Sequence, residues 1–450
     1  MPKIKSKIIF LCSSCGDDHP KWNGQCPSCN EWGTLSEFKV SKNRNNNFVD
    51  IEKPGKLSTI LNLPDTQRIL TRINEVDRVL GGGILPGSLI LLGGNPGIGK
   101  STLALQLLPK IEKTSLYVSA EESKDQVALR AKRLNIDSSL LHLSSENRIQ
   151  SVIEQSNELK PELLIIDSIQ AIYSDILDAI PGSISQIREC GQQIQQFAKQ
   201  TNTAVMIIGH VTKEGAIAGP KMLEHMVDTV LYLEGDDRQE YRVLRSNKNR
   251  FGNTHEIGIF QMESMGLVEV KNPSELFLSE RQEKIPGSSI FPSIEGTRPI
   301  LLEVQALVAE ASYATAQRNI NGLDFKRLSM ILAVLEKRLG FFMAKKDVFV
   351  NMVGGLKIDD PAVDLAVIGA IASSLKEKAL NKSMAVFGEV GLGGEVRSVA
   401  KAENRINEAV SLGFSQIIIP KSNFTRIKIK KYNAEIIGVA NVGEALHYMY

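Results

Sequence analysis

Residues 94–101 read Gly94-Asn95-Pro96-Gly97-Ile98-Gly99-Lys100-Ser101 and fill every fixed position of the pattern G-x-x-x-x-G-K-[ST]. An apolar run, Leu89 to Leu92, precedes the octet, and a helix-forming stretch, Thr102-Leu103-Ala104-Leu105, follows it. A chain with this pattern has to build a strand, a tight glycine loop and a helix in that order. Backbone N–H groups of such a loop wrap a polyphosphate at the helix N-terminus. Lys100 reaches the β- and γ-phosphates, and Ser101, with Thr102 beside it, offers a hydroxyl to Mg²⁺. ATP and Mg²⁺ are the ligands expected here.

The neighbouring sequence supplies the rest of such a site. Strand-length apolar runs, Ser115 to Val118, Leu163 to Ile166, Ala204 to Ile208 and Thr229 to Leu233, alternate with amphipathic helical stretches. That alternation predicts an α/β fold with a mostly parallel sheet. Asp167 follows the run at 163–166, where an acid orients Mg²⁺ through water. Glu121 follows the run at 115–118 and is the expected base that positions the attacking water. His210 closes the fourth run; it is either a γ-phosphate reader or a structural histidine. Lys213, in the loop after it, is an expected DNA contact.

Four of the five cysteines lie between positions 12 and 29. Cys12, Cys15, Cys26 and Cys29 form two C-x2-C pairs, each able to point two thiolates at one ion, and together they predict a tetrahedral Zn²⁺ ribbon. A module of about forty residues cannot build a sufficient apolar core, so the metal contributes folding free energy. With four thiolates no coordination position stays open, and the expected zinc is structural.

Lys plus Arg total 53 against 51 Asp plus Glu, a net charge of +2, so any polyanion site has to be local. No segment approaches the roughly 18 uninterrupted apolar residues of a membrane span, and the reading is a soluble, cytoplasmic protein with no membrane partner. Polar and turn-rich stretches divide the chain into a ribbon at 1–40, a linker at 41–58, an ATPase core at 59–270, a second linker at 271–295 and a mixed domain at 296–450. In that last part the periodicity predicts helices at about 324–339, 361–378 and 400–412.

Taken in order, the four-cysteine ribbon with Lys21-Trp22-Asn23-Gly24, the phosphate loop, Tyr117-Val118-Ser119-Ala120-Glu121-Glu122-Ser123 and Lys248-Asn249-Arg250-Phe251-Gly252 resemble the RadA (Sms) family of bacterial DNA repair proteins. The resemblance implies a RecA-like ATPase core, a C-terminal α+β domain similar to the proteolytic domain of Lon, and a hexameric ring. It also implies binding of single-stranded DNA, a RecA recombinase partner, and ATP-driven branch migration at recombination intermediates. Lys248, Asn249 and Arg250 read as two cations and an amide at a turn after a strand at 241–244, with Phe251 available to stack on a base and Gly252 beyond it. Lys248, Asn249, Arg250, Phe251 and Gly252 are expected DNA contacts, and by similarity to replicative hexameric helicases Lys248 and Arg250 are alternatively fingers acting on a neighbour's ATP.

In the Lon-like region the position of the nucleophilic serine is Ala362, and that of its lysine is at or near Glu403, with Lys401 two residues away. Without a hydroxyl no acyl-enzyme forms. The domain reads as a scaffold, with Lys345, Lys346, Lys357, Arg397 and Lys401, and the run Lys421 to Lys431, as possible phosphate contacts. The leading expectation is a DNA-dependent ATPase of recombinational repair. Its rivals are a RecA-superfamily ATPase acting on protein partners in signalling and, against Ala362, an ATP-dependent protease.

Overall fold

The structure is a computed structural model. It describes residues 7–12, 17–40, 67–210, 221–235, 241–278, 281, 285–311, 315–354, 357–428 and 432–450. Cys15, Lys213, Lys430, Lys431 and the linker expected at 41–58 lie outside the described residues. The chain divides into two compact units, Met1–Glu269 and Val270–Tyr450.

At the N-terminus β1 (Lys7–Cys12) pairs antiparallel with β2 (Asp18–His19) and β3 (Leu35–Val40). Among the described residues, the buried interior of this ribbon is Cys12, Cys26 and Leu35.

The core of the first unit is a nine-stranded sheet. In chain order its strands are β4 (Leu89–Gly94), β5 (Ser115–Ser119), β6 (Leu141–Ser144), β7 (Leu163–Asp167), β8 (Ala204–Ile208), β9 (Thr229–Glu234), β10 (Tyr241–Asn249), β11 (Ile257–Glu263) and β12 (Gly266–Glu269). Their order in space is β12-β11-β10-β9-β4-β8-β7-β5-β6. From β9 to β6 all neighbours are parallel, and β10, β11 and β12 extend the sheet antiparallel. Unbroken apolar runs such as Leu163-Leu164-Ile165-Ile166 suit strands covered on both faces. One face packs on the helix Lys100–Ile111 and the other on the helix Ile184–Thr201. The central parallel strands therefore end together at one edge, where open α/β sheets place their ligands.

In the second unit β13 (Ser288–Glu295), β14 (Arg298–Glu310), β15 (Arg318–Asn321) and β16 (Lys346–Met352) form a sheet of order β13-β14-β16-β15. A second sheet joins β17 (Met384–Val386) to two later parallel strands, and β18 (Glu389–Val390) pairs with β19 (Val396–Arg397). Those later strands are β20 (Gln416–Pro420) and β21 (Glu435–Val439). The helix Asp364–Leu375, buried from Asp364 to Ser373, is its hydrophobic axis.

The stretch expected as a linker at 271–295 carries structure: a helix at Pro273–Leu278 and all of β13. Pro273 opens the helix, where its missing donor costs nothing, and Pro292 is tolerated because β13 is an edge strand and needs no donor on its free side. The helix expected at 361–378 opens as a 3₁₀ turn, Pro361–Val363, and ends at Leu375.

Candidate functional site

The loop between β4 and the helix Lys100–Ile111 is a nest of glycines with positive φ, among them Gly97 at 79° and Gly99 at 114°. Gly94 answers a different demand. A Cβ there would stand 2.5 Å from the Leu233 carbonyl oxygen of β9, so the close approach of two strands requires it. Asn95, Pro96 and Ile98 complete the turn, and Ile98 is buried beneath it. The Lys100 ammonium is buried and donates to the carbonyl oxygens of Gly94 and Asn95, at 2.9 Å each. Burial pushes it down to about 8, while the negative charges of Asp167 and Glu121 hold it up against that loss. Ser101 and Thr102 occupy the first turn of the helix.

Asp167 ends β7 and Glu121 follows β5, its immediate neighbour in the sheet. The Ser168 hydroxyl donates to Glu121. His210, just past β8, has its Nε2 3.6 Å from the Glu121 carboxylate. Its Nδ1 is buried and has no partner among the described residues. Glu122 is drawn away into an ion pair with Arg130 of the following helix, which leaves Glu121 as the acid facing the loop side. The set Lys100, Glu121, Asp167 and His210 thus gathers at the carboxyl edge of adjacent parallel strands. A loop of backbone donors, a buried ammonium and two carboxylates suits a magnesium-bound nucleotide polyphosphate.

The Lys248 to Gly252 segment is not the free turn its composition suggests. β10 runs on through Lys248 and Asn249, past the expected end at Leu244, with a register shift against β9 between Ser246 and Lys248. Lys248 Nζ donates to the carbonyl oxygens of Glu224 at 2.6 Å and Val227 at 2.8 Å, capping the helix Lys221–Met226. Burial, and then the charge of Arg250, lowers its pKa. Asn249, expected to face DNA, is buried: its amide donates to Leu80 O at 3.2 Å and its carbonyl accepts the Phe251 N–H at 3.0 Å. Gly252 packs on it, since a Cβ would lie 2.7 Å from Asn249 Nδ2. Arg250 and Phe251 do stand in the turn. The Arg250 side chain is 54% exposed and 3.4 Å from Asp228, and the Phe251 ring is partly exposed.

In the ribbon the sulfurs of Cys12, Cys26 and Cys29 lie within 4.8 Å of one another. Burial alone would raise the Cys26 thiol, but N–H groups of Cys29 and Ser28, with His19 Nε2 at 3.5 Å, bring it down to about 6. Three converging sulfurs, with Cys26 leaning to its thiolate, fit Zn²⁺, with Cys15 as the fourth ligand expected from the spacing. Cys190 is fully buried, and that burial pushes its thiol up to about 12.

Ala362 sits fully buried in the 3₁₀ turn, its N–H capped by Asp360 at 3.0 Å. The side chain that reaches this turn is Arg405, which its sequence position did not single out, rather than Glu403 or Lys401. Arg405 is buried, donates to Asp360 at 2.6 Å and to Pro292 O at 2.6 Å, and lies over the Phe291 and Phe387 rings. Its signal was a charge on the inward helix face Ala402, Arg405, Ile406, Ala409. Beside it, Arg327 grips the buried Asp364 through two bonds, of 2.5 and 2.7 Å. Several surface cations of this domain are paired: Lys346 with Glu310, Lys357 with Asp359 and Arg397 with Glu395, while Lys401 donates to Gly296 O.

Residues 57–216 match a family described as AAA domain, residues 324–423 one described as subunit ChlI of Mg-chelatase, and residues 10–37 one described as rubredoxin metal binding domain. The DNA repair protein RadA of Listeria monocytogenes is 47% identical over 452 residues, covering 99% of this chain and 99% of that protein. The DNA repair protein RadA of Bacillus subtilis is 47% identical over 456 residues, again covering 99% of each chain. With such identity along its whole length, a zinc ribbon, a RecA-like ATPase core and a Lon-like C-terminal domain, the chain belongs to the RadA family of DNA repair proteins.

Proposed function

We propose that the chain is a DNA-dependent ATPase of recombinational repair that binds single-stranded DNA and uses hydrolysis to drive branch migration of recombination intermediates. The observation that carries the reading is the convergence of the phosphate loop, Lys100, Asp167 and Glu121 at one sheet edge. Lys100 neutralises the β- and γ-phosphates, and the Ser101 hydroxyl and Asp167 hold the Mg²⁺ shell. When bound, Mg²⁺ supplies charge neutralisation between those phosphates. Glu121 orients the attacking water and accepts its proton; Ser168 and His210 keep its carboxylate in place.

Arg250, exposed at the end of β10, is the residue of its segment best placed to act outside its own subunit, on a neighbour's phosphates or on DNA, in a ring that we take to be hexameric. Phe251 and Lys213 join it as DNA contacts. Lys248 and Asn249 support them from within the fold. The working unit is cytoplasmic, acts beside a RecA recombinase, and carries the Lon-like domain at 296–450 as a scaffold without peptidase activity. Among the described residues no helix is long and apolar enough to cross a membrane.

The test is steady-state ATP hydrolysis by the full chain with and without single-stranded DNA, over a range of salt, with Lys100→Ala as control. Stimulation by DNA that disappears in the variant is expected. ATP hydrolysis indifferent to DNA at every salt concentration would overturn the DNA motor and favour an ATPase acting on protein partners.

A further inference from the structure

We propose that Tyr117 is a positioning residue for the Asp167 carboxylate, and through it for the Mg²⁺ that accompanies the nucleotide; this rests on the nucleotide reading above. Tyr117 lies mid-way along β5 and is fully buried. It pairs in register with Ile165 of β7, so its side chain shares a face with Leu163, Ile165 and Asp167. That face packs against the helix that follows the phosphate loop. Packing alone requires only the ring. The hydroxyl is a polar group in a dry core, tolerable there only with a partner. Its partner is Asp167: the phenol donates to Oδ2.

A donor fixed to a carboxylate makes a charge-assisted bond, the stronger kind. One oxygen of Asp167 is thereby committed and its rotamer restrained, and the other is left for the water shell of a cation. No other side chain hydrogen-bonds this carboxylate among the described residues. Groups that orient a metal-binding residue from behind govern affinity nearly as much as the residue itself. Ser168, the next residue, bonds Glu121 instead, so the two carboxylates have separate supports: the phenol for the acid that holds the metal, the hydroxyl for the one that positions water.

The experiment measures the affinity of the full chain for a fluorescent ADP, with Mg²⁺ and with EDTA, for the wild type and Tyr117→Phe. Phenylalanine keeps the ring, and thermal unfolding reports whether the core is retained. The expected result is an unchanged affinity in EDTA and a gain from Mg²⁺ reduced by about tenfold. The same substitution made on Asp167→Asn, where the carboxylate is already lost, is expected to change the Mg²⁺ gain no further. An unaltered Mg²⁺ gain in Tyr117→Phe would overturn the proposal and leave the phenol a packing group. A loss equal in EDTA and in Mg²⁺ would overturn it too, since that is the mark of a damaged fold. A wild type that binds no nucleotide under either condition would instead remove the reading beneath it.

Discussion

Asn249→Ala separates a buried amide from a DNA contact. In the structure the Asn249 side chain closes the C-terminal end of the helix Asn74–Leu80 through Leu80 O at 3.2 Å, and it receives the Phe251 N–H at 3.0 Å. Truncation strands the Phe251 N–H and the buried Thr229 hydroxyl, which lies 3.5 Å from the Asn249 side-chain carbonyl, whereas Leu80 O keeps a bond from Arg68 at 3.4 Å. Each buried polar group left without a partner costs about 1–3 kcal/mol. The partly exposed Phe251 side recovers some of this from water, so the expected loss is about 2–3 kcal/mol. For a core of roughly 200 residues, at about 2–4 °C per kcal/mol, that lowers the melting point by about 5–10 °C. The assay is calorimetry of the full chain, with the ATPase-core transition identified by its rise on adding ADP. Binding of single-stranded DNA is measured in parallel well below that transition. The expected pattern is a lowered transition with DNA affinity nearly unchanged. An unaltered transition with a clear loss of DNA affinity would refute the reasoning and return Asn249 to the surface role its neighbours suggest.

Arg250→Ala is expected to give the opposite pattern: its half-exposed guanidinium stands 3.4 Å from the buried Asp228, whose carboxylate keeps the Leu89 N–H, so melting moves less than in Asn249→Ala while DNA-stimulated hydrolysis falls steeply. In the ribbon, alkylation at pH 8 followed by mass spectrometry is expected to spare every cysteine of the zinc-loaded chain. After chelation it should label Cys12, Cys15, Cys26 and Cys29 and still spare Cys190, whose burial holds it protonated. Ala362→Ser is expected to yield no peptidase, read by casein cleavage and by fluorophosphonate labelling. The base a serine would need is absent: the cation at that turn is a guanidinium already bound to Asp360, and it stays protonated.

The parallel half of the core was legible because each central strand is an unbroken apolar run and each acid of the site stands at the end of one. Leu163-Leu164-Ile165-Ile166-Asp167 announces both the strand and the carboxylate in one stretch. β10 was not legible beyond Leu244. Its second half, Arg245-Ser246-Asn247-Lys248-Asn249, has no apolar alternation and is held extended by pairing with β9, a contact that no local pattern records. β13 was hidden for the converse reason, its edge position making harmless the proline that elsewhere breaks a strand.

The same division runs through the functional residues. Lys100, Asp167 and Glu121 stand out in the sequence because chemistry and strand end coincide, and the side chains that contact them do not, because their types point elsewhere. Tyr117 reads as one more core aromatic, and Arg405 as one more surface cation on a charged helix. The sorting rule that distinguishes them is physical. A buried polar group must be paired, so its partner, and not its type, states its role. Applied to Lys248 through Gly252, the rule divides the segment. Lys248 and Asn249 spend their donors on carbonyl oxygens of the same chain, and Arg250 keeps about half of its side chain in solvent. Three polar neighbours that composition treats alike thus become two supports and one reaching group. If the segment acts on a neighbouring subunit or on DNA, Arg250 and the partly exposed Phe251 are its reaching groups, with Lys248 and Asn249 anchored in the fold beneath them.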